Sequence, residues 1–287
     1  MRKRYSFSSR HTGYARDPAN YLKQRKKYPA LLQKILDQSE IILEVLDARF
    51  VEDTRNKDIE EEIIKRGKKI IYVINKSDLN PKPKDLPEPY AVVSCKERKG
   101  IKDLRDRIKI LSHNIVKDKD GKVIVGVIGY PNTGKSSLIN ILIGKSSAGT
   151  GADAGFTKGI QKLRLSSEIT LLDSPGVIPQ KEYSSRDVKL HSKNTMIGAR
   201  SHSQVSNPEQ VIAELVLGFP NTFDTYYKIN SGNDSEILLE KLGRKKNFLL
   251  KGGIVDIDKT ARFILKEWQE GKISVDVDDK GLKSKSK

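Results

Sequence analysis

Gly129-Tyr130-Pro131-Asn132-Thr133-Gly134-Lys135-Ser136 matches the phosphate-loop pattern G-x-x-x-x-G-K-[ST], in the surroundings that give the pattern meaning. The apolar run Val123 to Ile128 reads as a buried strand before it, and Ser137 to Ile143 reads as a helix after it. Gly129 and Gly134 let the backbone turn its N–H groups inward at a helix N-terminus, where the peptide dipoles favour phosphate oxygens. Lys135 is expected to reach the β- and γ-phosphates and the Ser136 hydroxyl to ligate Mg2+. Asn132, Thr133, Gly134 and Ser137 complete the cradle. An ordinary Gly-rich strand-to-helix turn would not need Lys and Ser after its second glycine.

Upstream, the apolar run Lys69 to Ile74 reads as a strand that delivers Asn75-Lys76-Ser77-Asp78 at its C-terminal end, where ligands bind in open parallel sheets. An Asn amide can serve the purine N7 and O6 edge, and a Lys stem can lie over the ring. An Asp can accept two N–H bonds from guanine N1 and N2. Adenine lacks that donor pair, so Asp78 would be left unpaired with ATP, and the site is expected to prefer guanine. Pro81, Pro83, Pro87 and Pro89 mark an extended loop before the short strand Tyr90 to Val93, which leads into Ser94-Cys95-Lys96. Further upstream, Pro29 opens a helix through Leu31, Leu32, Ile35 and Leu36. Glu40 to Leu46 reads as a buried strand ending in Asp47-Ala48-Arg49, and Asn56 to Arg66 as a helix.

In this chain the base-recognition signals precede the phosphate loop, whereas in Ras-like GTPases the phosphate loop comes first. The sequence therefore resembles a circularly permuted GTPase, and most of all the YlqF/RbgA-type ribosome-assembly GTPases with their archaeal and eukaryotic nucleolar relatives, over nearly its full length. Ser94-Cys95-Lys96 resembles the Ser-Ala-Lys loop whose backbone N–H recognises guanine O6; the rival reading of Cys95 is a free nucleophilic thiol. Gly155-Phe156-Thr157-Lys158 is similar to the first switch, which implies that Thr157 supplies a hydroxyl to Mg2+ and senses the γ-phosphate. Leu171-Leu172-Asp173-Ser174-Pro175-Gly176 is similar to the second switch. Asp173 would hold Mg2+ through water, and the Gly176 N–H would contact the γ-phosphate. Val177 and Ile178 follow, where Ras has the Gln that orients the attacking water. The resemblance implies an alternative in which Asn132 ligates a K+ ion against the phosphates; a plain turn Asn is the rival reading. His11 lies in the basic N-terminal segment, where relatives carry a histidine proposed to act in catalysis.

Composition bounds the rest. The chain of 287 residues has a net charge of +17 and one cysteine, so no internal disulfide can form. No apolar run approaches the ~20 residues of a membrane span. Residues 1–34 hold ten Lys and Arg against one acid, Asp17, which predicts a polyanionic partner with strong salt dependence. A solvated basic tail and a transit peptide are the rival readings of that segment. Helices are expected at Glu209 to Leu217, Thr222 to Lys228, Ser235 to Leu242 and Asp256 to Gln269. Lys241, Arg244, Lys245, Lys246 and Lys251, between two of them, form an RNA contact patch.

The expected fold class is thus α/β, a circularly permuted Ras-like P-loop GTPase domain with a small C-terminal all-α domain. Its parts are a basic segment (1–28), the GTPase domain (29–180), a connector with a short helix (181–207), a helical RNA-binding domain (208–275) and a disordered basic tail (276–287). The expected activity is GTP hydrolysis, slow until stimulated by K+ and ribosomal particles, with Mg2+ and K+ as cofactors and GTP and GDP as substrate and product. The expected partners are rRNA and an immature ribosomal subunit, by resemblance the large one. The protein is expected to be a monomer with no membrane association, and cytoplasmic, or nucleolar in a eukaryote, with a mitochondrial location the lesser alternative. The competing function is an RNA-binding scaffold in which guanine nucleotide is a stabilising ligand with little turnover.

Overall fold

The seven residues of β1 (Ile41–Asp47) are all buried, because a strand in the middle of a parallel sheet is covered on both faces and reads as a continuous apolar run. The computed structural model describes residues 30–80, 82–117, 120–144, 161–174, 176 and 188–275. His11, Thr157, Val177, Ile178 and both basic termini lie outside them. Around β1 the sheet comprises β2 (Lys69–Asn75), β3 (Tyr90–Val92), β4 (Val123–Ile128), β5 (Gln161–Arg164) and β6 (Ile169–Asp173), in the order β3-β2-β1-β4-β6-β5. Every pairing is parallel except β5 with β6.

Helices cover both faces. On one, α3 (Ile101–His113) and α4 (Lys135–Ile143) bring Leu104, Ile108, Leu138 and Leu142 onto Val45, Val73 and Val125. On the other, α1 (30–38) and α2 (Lys57–Lys65) contribute Leu32, Ile35, Leu36 and Ile63. Gly126 permits that close approach, since a Cβ there would stand 2.6 Å from Ile35 Cγ2 and 2.7 Å from Ser39 Oγ. The Asn56 side chain caps α2 by accepting from the Ile59 N–H at 3.3 Å. With helices on both faces and the ligand-bearing loops at the C-terminal strand ends, this is a doubly wound α/β sheet.

A helical unit follows: α5 (Val188–Met196), α6 (Pro208–Gly218), α7 (Thr222–Tyr227), α8 (Ser235–Lys245) and α9 (Ile257–Gln269). Its core centres on Trp268, fully buried, with ring centroids of Phe219, Phe223 and Phe50 at 5.2, 5.6 and 5.9 Å. Two of its buried members come from the sheet domain: Phe50, just after β1, and Tyr130 of the phosphate loop. Ile197 and Ala199, just after α5, are buried in the same core. The helix expected to end at Leu242 runs on to Lys245. Lys241, Arg244 and Lys245 thus lie on α8 itself and not between helices, since Lys and Arg are good helix formers and Arg244 Nε pairs with Glu240 at 2.9 Å one turn back.

Candidate nucleotide site

Turning the chain from β4 into α4 needs two left-handed glycines. Gly129 has φ +142° and Gly134 φ +96°; a Cβ on Gly129 would press on the Val45 carbonyl oxygen at 2.5 Å, and one on Gly134 would collide with Asn75 Nδ2. α4 therefore begins at Lys135, two residues earlier than expected. Lys135 is buried and donates to the Tyr130 carbonyl at 2.6 Å, and the Thr133 hydroxyl donates to the same carbonyl at 3.0 Å. Burial pushes the Lys135 ammonium down to about 8, with Lys76 adding repulsion and Asp173 opposing.

The base end is held by short side-chain bonds. Asn75 donates from Nδ2 to the Thr133 carbonyl at 2.8 Å, and its Oδ1 accepts from the Cys95 N–H at 3.3 Å. Both ends of this amide are engaged within the protein. In this geometry Asn75 joins the phosphate loop to the Ser94-Cys95-Lys96 loop, where the sequence suggested a contact with the purine edge. The Ser94 hydroxyl donates to Asp78 Oδ1 at 2.6 Å, and Lys96 Nζ lies 4.0 Å from Asp78 Oδ2. Lys76, at φ +63°, points its ammonium to Asp47 Oδ2 at 2.8 Å. Burial pushes the Cys95 thiol up to about 12, so it stays protonated near neutral pH and the nucleophile reading finds no support.

At the phosphate end, Ser136 Oγ lies 3.4 Å from Asp173 Oδ2, and Asp173 is fully buried. A hydroxyl beside a carboxylate is an oxygen donor set that suits a hard cation such as Mg2+. Gly176 packs on the phosphate loop, where a Cβ would lie 2.6 Å from Pro131 Cα. Asn132, at φ +61°, donates from Nδ2 to the Gly198 carbonyl at 2.8 Å, so a cation at this residue would be held by the amide oxygen.

The structure adds residues that motif reading did not single out. The cleft, about 320 Å³, is lined by Asn75, Lys76, Asp78, Cys95, Lys96, Gly134 and Ser137, and also by Leu79 and by Gln269, Glu270 and Gly271 at the end of α9. The Gln269 amide donates to the carbonyls of Thr195 and Arg200, both at 2.9 Å, and Trp268 Nε1 donates to the Met196 carbonyl at 2.9 Å. The Val275 N–H donates to the Leu79 carbonyl at 2.8 Å. Amphipathic spacing announced α9 as a core helix; nothing in that spacing says that its last turn walls a cleft made by β2 and β4.

Asn75 clips a phosphate loop to an Asn-Lys-x-Asp loop that precedes it in the chain, and the strand order carries one antiparallel edge beside β6. Together these define a circularly permuted P-loop GTPase. Residues 124–217 match the family described as 50S ribosome-binding GTPase. Among similar proteins, a GTP-binding protein of Methanocaldococcus jannaschii is 41% identical over 264 residues, covering 87% of this chain and 67% of that one. Nucleolar GTP-binding protein 2 of Neurospora crassa is 35% identical over 268 residues, covering 87% of this chain and 41% of its own. The chain thus spans about two thirds of the archaeal relative and less than half of the fungal one. The GNP-bound structure of YlqF from T. maritima superposes with a TM-score of 0.59 at 21% identity, covering 87% of this chain and 97% of that chain, a likeness of fold. The chain belongs to the family of GTP-binding proteins that includes the M. jannaschii relative, and its fold is that of a circularly permuted GTPase.

Proposed function

We propose that this protein binds GTP in the cleft between the two loops, hydrolyses it with Mg2+, and uses that cycle in ribosome assembly, on the large subunit and through rRNA. The observation that carries the reading is the Asn75 clip, which ties the phosphate loop to the base-recognition side of a cleft lined by Asp78, Gly134 and Ser137. Ser136, Asp173 and Thr157 would hold Mg2+, which supplies charge neutralisation at the transferring phosphate. Asn132 would hold K+ through its amide oxygen, and the Gly176 N–H would meet the γ-phosphate. His11 is the remaining candidate for orienting water, because Val177 and Ile178 cannot do so. The nucleolar relatives and the family description support the ribosomal setting.

The surface supports a polyanionic partner. Lys241, Arg244, Lys245, Lys246 and Lys251 are all exposed on α8 and the turn after it, and by composition residues 1–34 carry ten further Lys and Arg. Phosphate neutralisation by such groups makes binding steeply salt-dependent. Hydrolysis would then release the factor, since γ-phosphate contacts at Thr157 and Gly176 end with the reaction.

The test is GTP turnover in K+ and in Na+, with and without ribosomal subunits. Turnover that rises with K+ and with large subunits is expected; turnover negligible in every condition would leave an RNA-binding scaffold with guanine nucleotide as a stabilising ligand.

A further inference from the structure

Asp47, at the end of β1, is fully buried and takes three hydrogen bonds from two cations. Arg49 forks onto it, Nε to Oδ1 at 3.1 Å and Nη2 to Oδ2 at 2.9 Å, and Lys76 Nζ reaches Oδ2 at 2.8 Å. Arg49 spends its third arm elsewhere. Nη1 donates to the Trp268 carbonyl at 3.0 Å, and the guanidinium lies 4.4 Å from the Trp268 ring centroid. One unbroken set of contacts therefore runs from the lysine of the base-recognition loop to the centre of the helical core. The three residues after Trp268 line the same cleft as Lys76.

A buried set of charges contributes little net stability compared with an apolar replacement of the same shape, because desolvation offsets the Coulomb attraction. What it does supply is geometry. The planar guanidinium grips both Asp47 oxygens with a fixed pair of N–H bonds and still reaches a carbonyl with its third nitrogen, a rigid geometry that an ammonium does not supply. Asp47 held in this way fixes where the Lys76 ammonium ends, and hence where its stem lies.

We infer that Arg49 is a positioning residue for Lys76, and that through it the binding of a guanine base is coupled to the seating of the helical unit on the sheet domain. The inference rests on the reading that Lys76 contacts the base. A second contact between the units, Tyr130 of the phosphate loop in the helical core, would couple the phosphates instead, so the two routes must be separated.

The experiment measures affinity of the full chain for GDP and for inorganic tripolyphosphate, together with the emission of Trp268, the chain's one tryptophan. Lys76→Met must weaken GDP; if it does not, the base-contact reading itself fails. Arg49→Lys is expected to weaken GDP roughly tenfold, the size of one charge-assisted hydrogen bond, to leave tripolyphosphate unchanged, and to abolish the response of Trp268 to GDP. A merely structural role would lower Tm and leave the GDP affinity alone. Wild-type GDP affinity in Arg49→Lys, with Lys76→Met impaired, overturns the inference. Should Arg49→Lys not fold, the wild-type chain decides: Trp268 emission is expected to respond to GDP and not to tripolyphosphate, and an equal response to both assigns the coupling to Tyr130 and overturns the Arg49 route.

Discussion

The two ends of the cleft are built on opposite terms. At the base end the groups that would read guanine are already held by protein partners: Asp78 by the Ser94 hydroxyl, Asn75 by two backbone groups, Lys76 by Asp47. At the phosphate end a buried lysine turns its ammonium onto the Tyr130 carbonyl and is pushed down to about 8. On the proposed function the first end would be preorganised for specificity, because a mismatched base would leave the Asp78 carboxylate without the two base N–H donors. At the second, burial disfavours the charged Lys135 ammonium, and on the proposed function a polyphosphate would stabilise it. The proposed function thus gives selectivity to one end of the site and affinity to the other.

Substitutions can break this division. The largest effect is expected for Lys135→Ala, which removes charge-assisted bonds of about 1.5–3 kcal/mol each to two phosphates. GTP and GDP affinity should fall at least about a hundredfold by calorimetry, and a fall of less than tenfold would mean that the phosphate end does not carry affinity. Asp78→Asn should cut the preference for guanine over xanthine nucleotides by about a hundredfold, since xanthine presents an acceptor where guanine has a donor. Unchanged GDP affinity in that variant would remove the base-end assignment.

A pH titration tests the charge imbalance. Burial pushes the Lys135 ammonium down to about 8 in the free protein, and phosphate oxygens in the complex would raise it. Binding then takes up a proton above about pH 8, so GDP affinity is full below that pH and falls by about tenfold per pH unit above it. Calorimetry in two buffers of different ionisation enthalpy reads the proton directly; affinity that stays flat from about pH 7 to 9.5 would show Lys135 already charged. The smallest effect is expected at Cys95, whose backbone N–H donates to Asn75 Oδ1 and is kept whatever the side chain. Cys95→Ala should leave GDP affinity within about twofold, and the wild-type thiol should resist alkylation at pH 8 because burial holds it protonated.

Local pattern reached some parts of the molecule and not others. β1, β2 and β4 were legible because a strand covered on both faces must be apolar throughout, and α9 was legible from its spacing. The Gly129 to Ser136 loop was legible because its backbone path needs glycine at two places and its chemistry needs Lys and Ser at two more. Phe50 and Tyr130 were not, since each reads as one aromatic in a polar loop and only the approach of α6 and α9 makes it a core residue. Arg49 likewise reads as a loop charge next to Asp47; its partner Trp268 stands 219 positions away.

The sequence by itself therefore determined the class of ligand, the order of the motifs and so the permuted topology, because phosphate and guanine recognition depend on a few residue types at short spacing. Tertiary structure alone decided that the helical unit is a wall of the nucleotide cleft and shares its core with the phosphate loop. That result depends on side chains far apart in the chain meeting across a packed interface, where burial and charge compensation act on distance in space and no local periodicity records them.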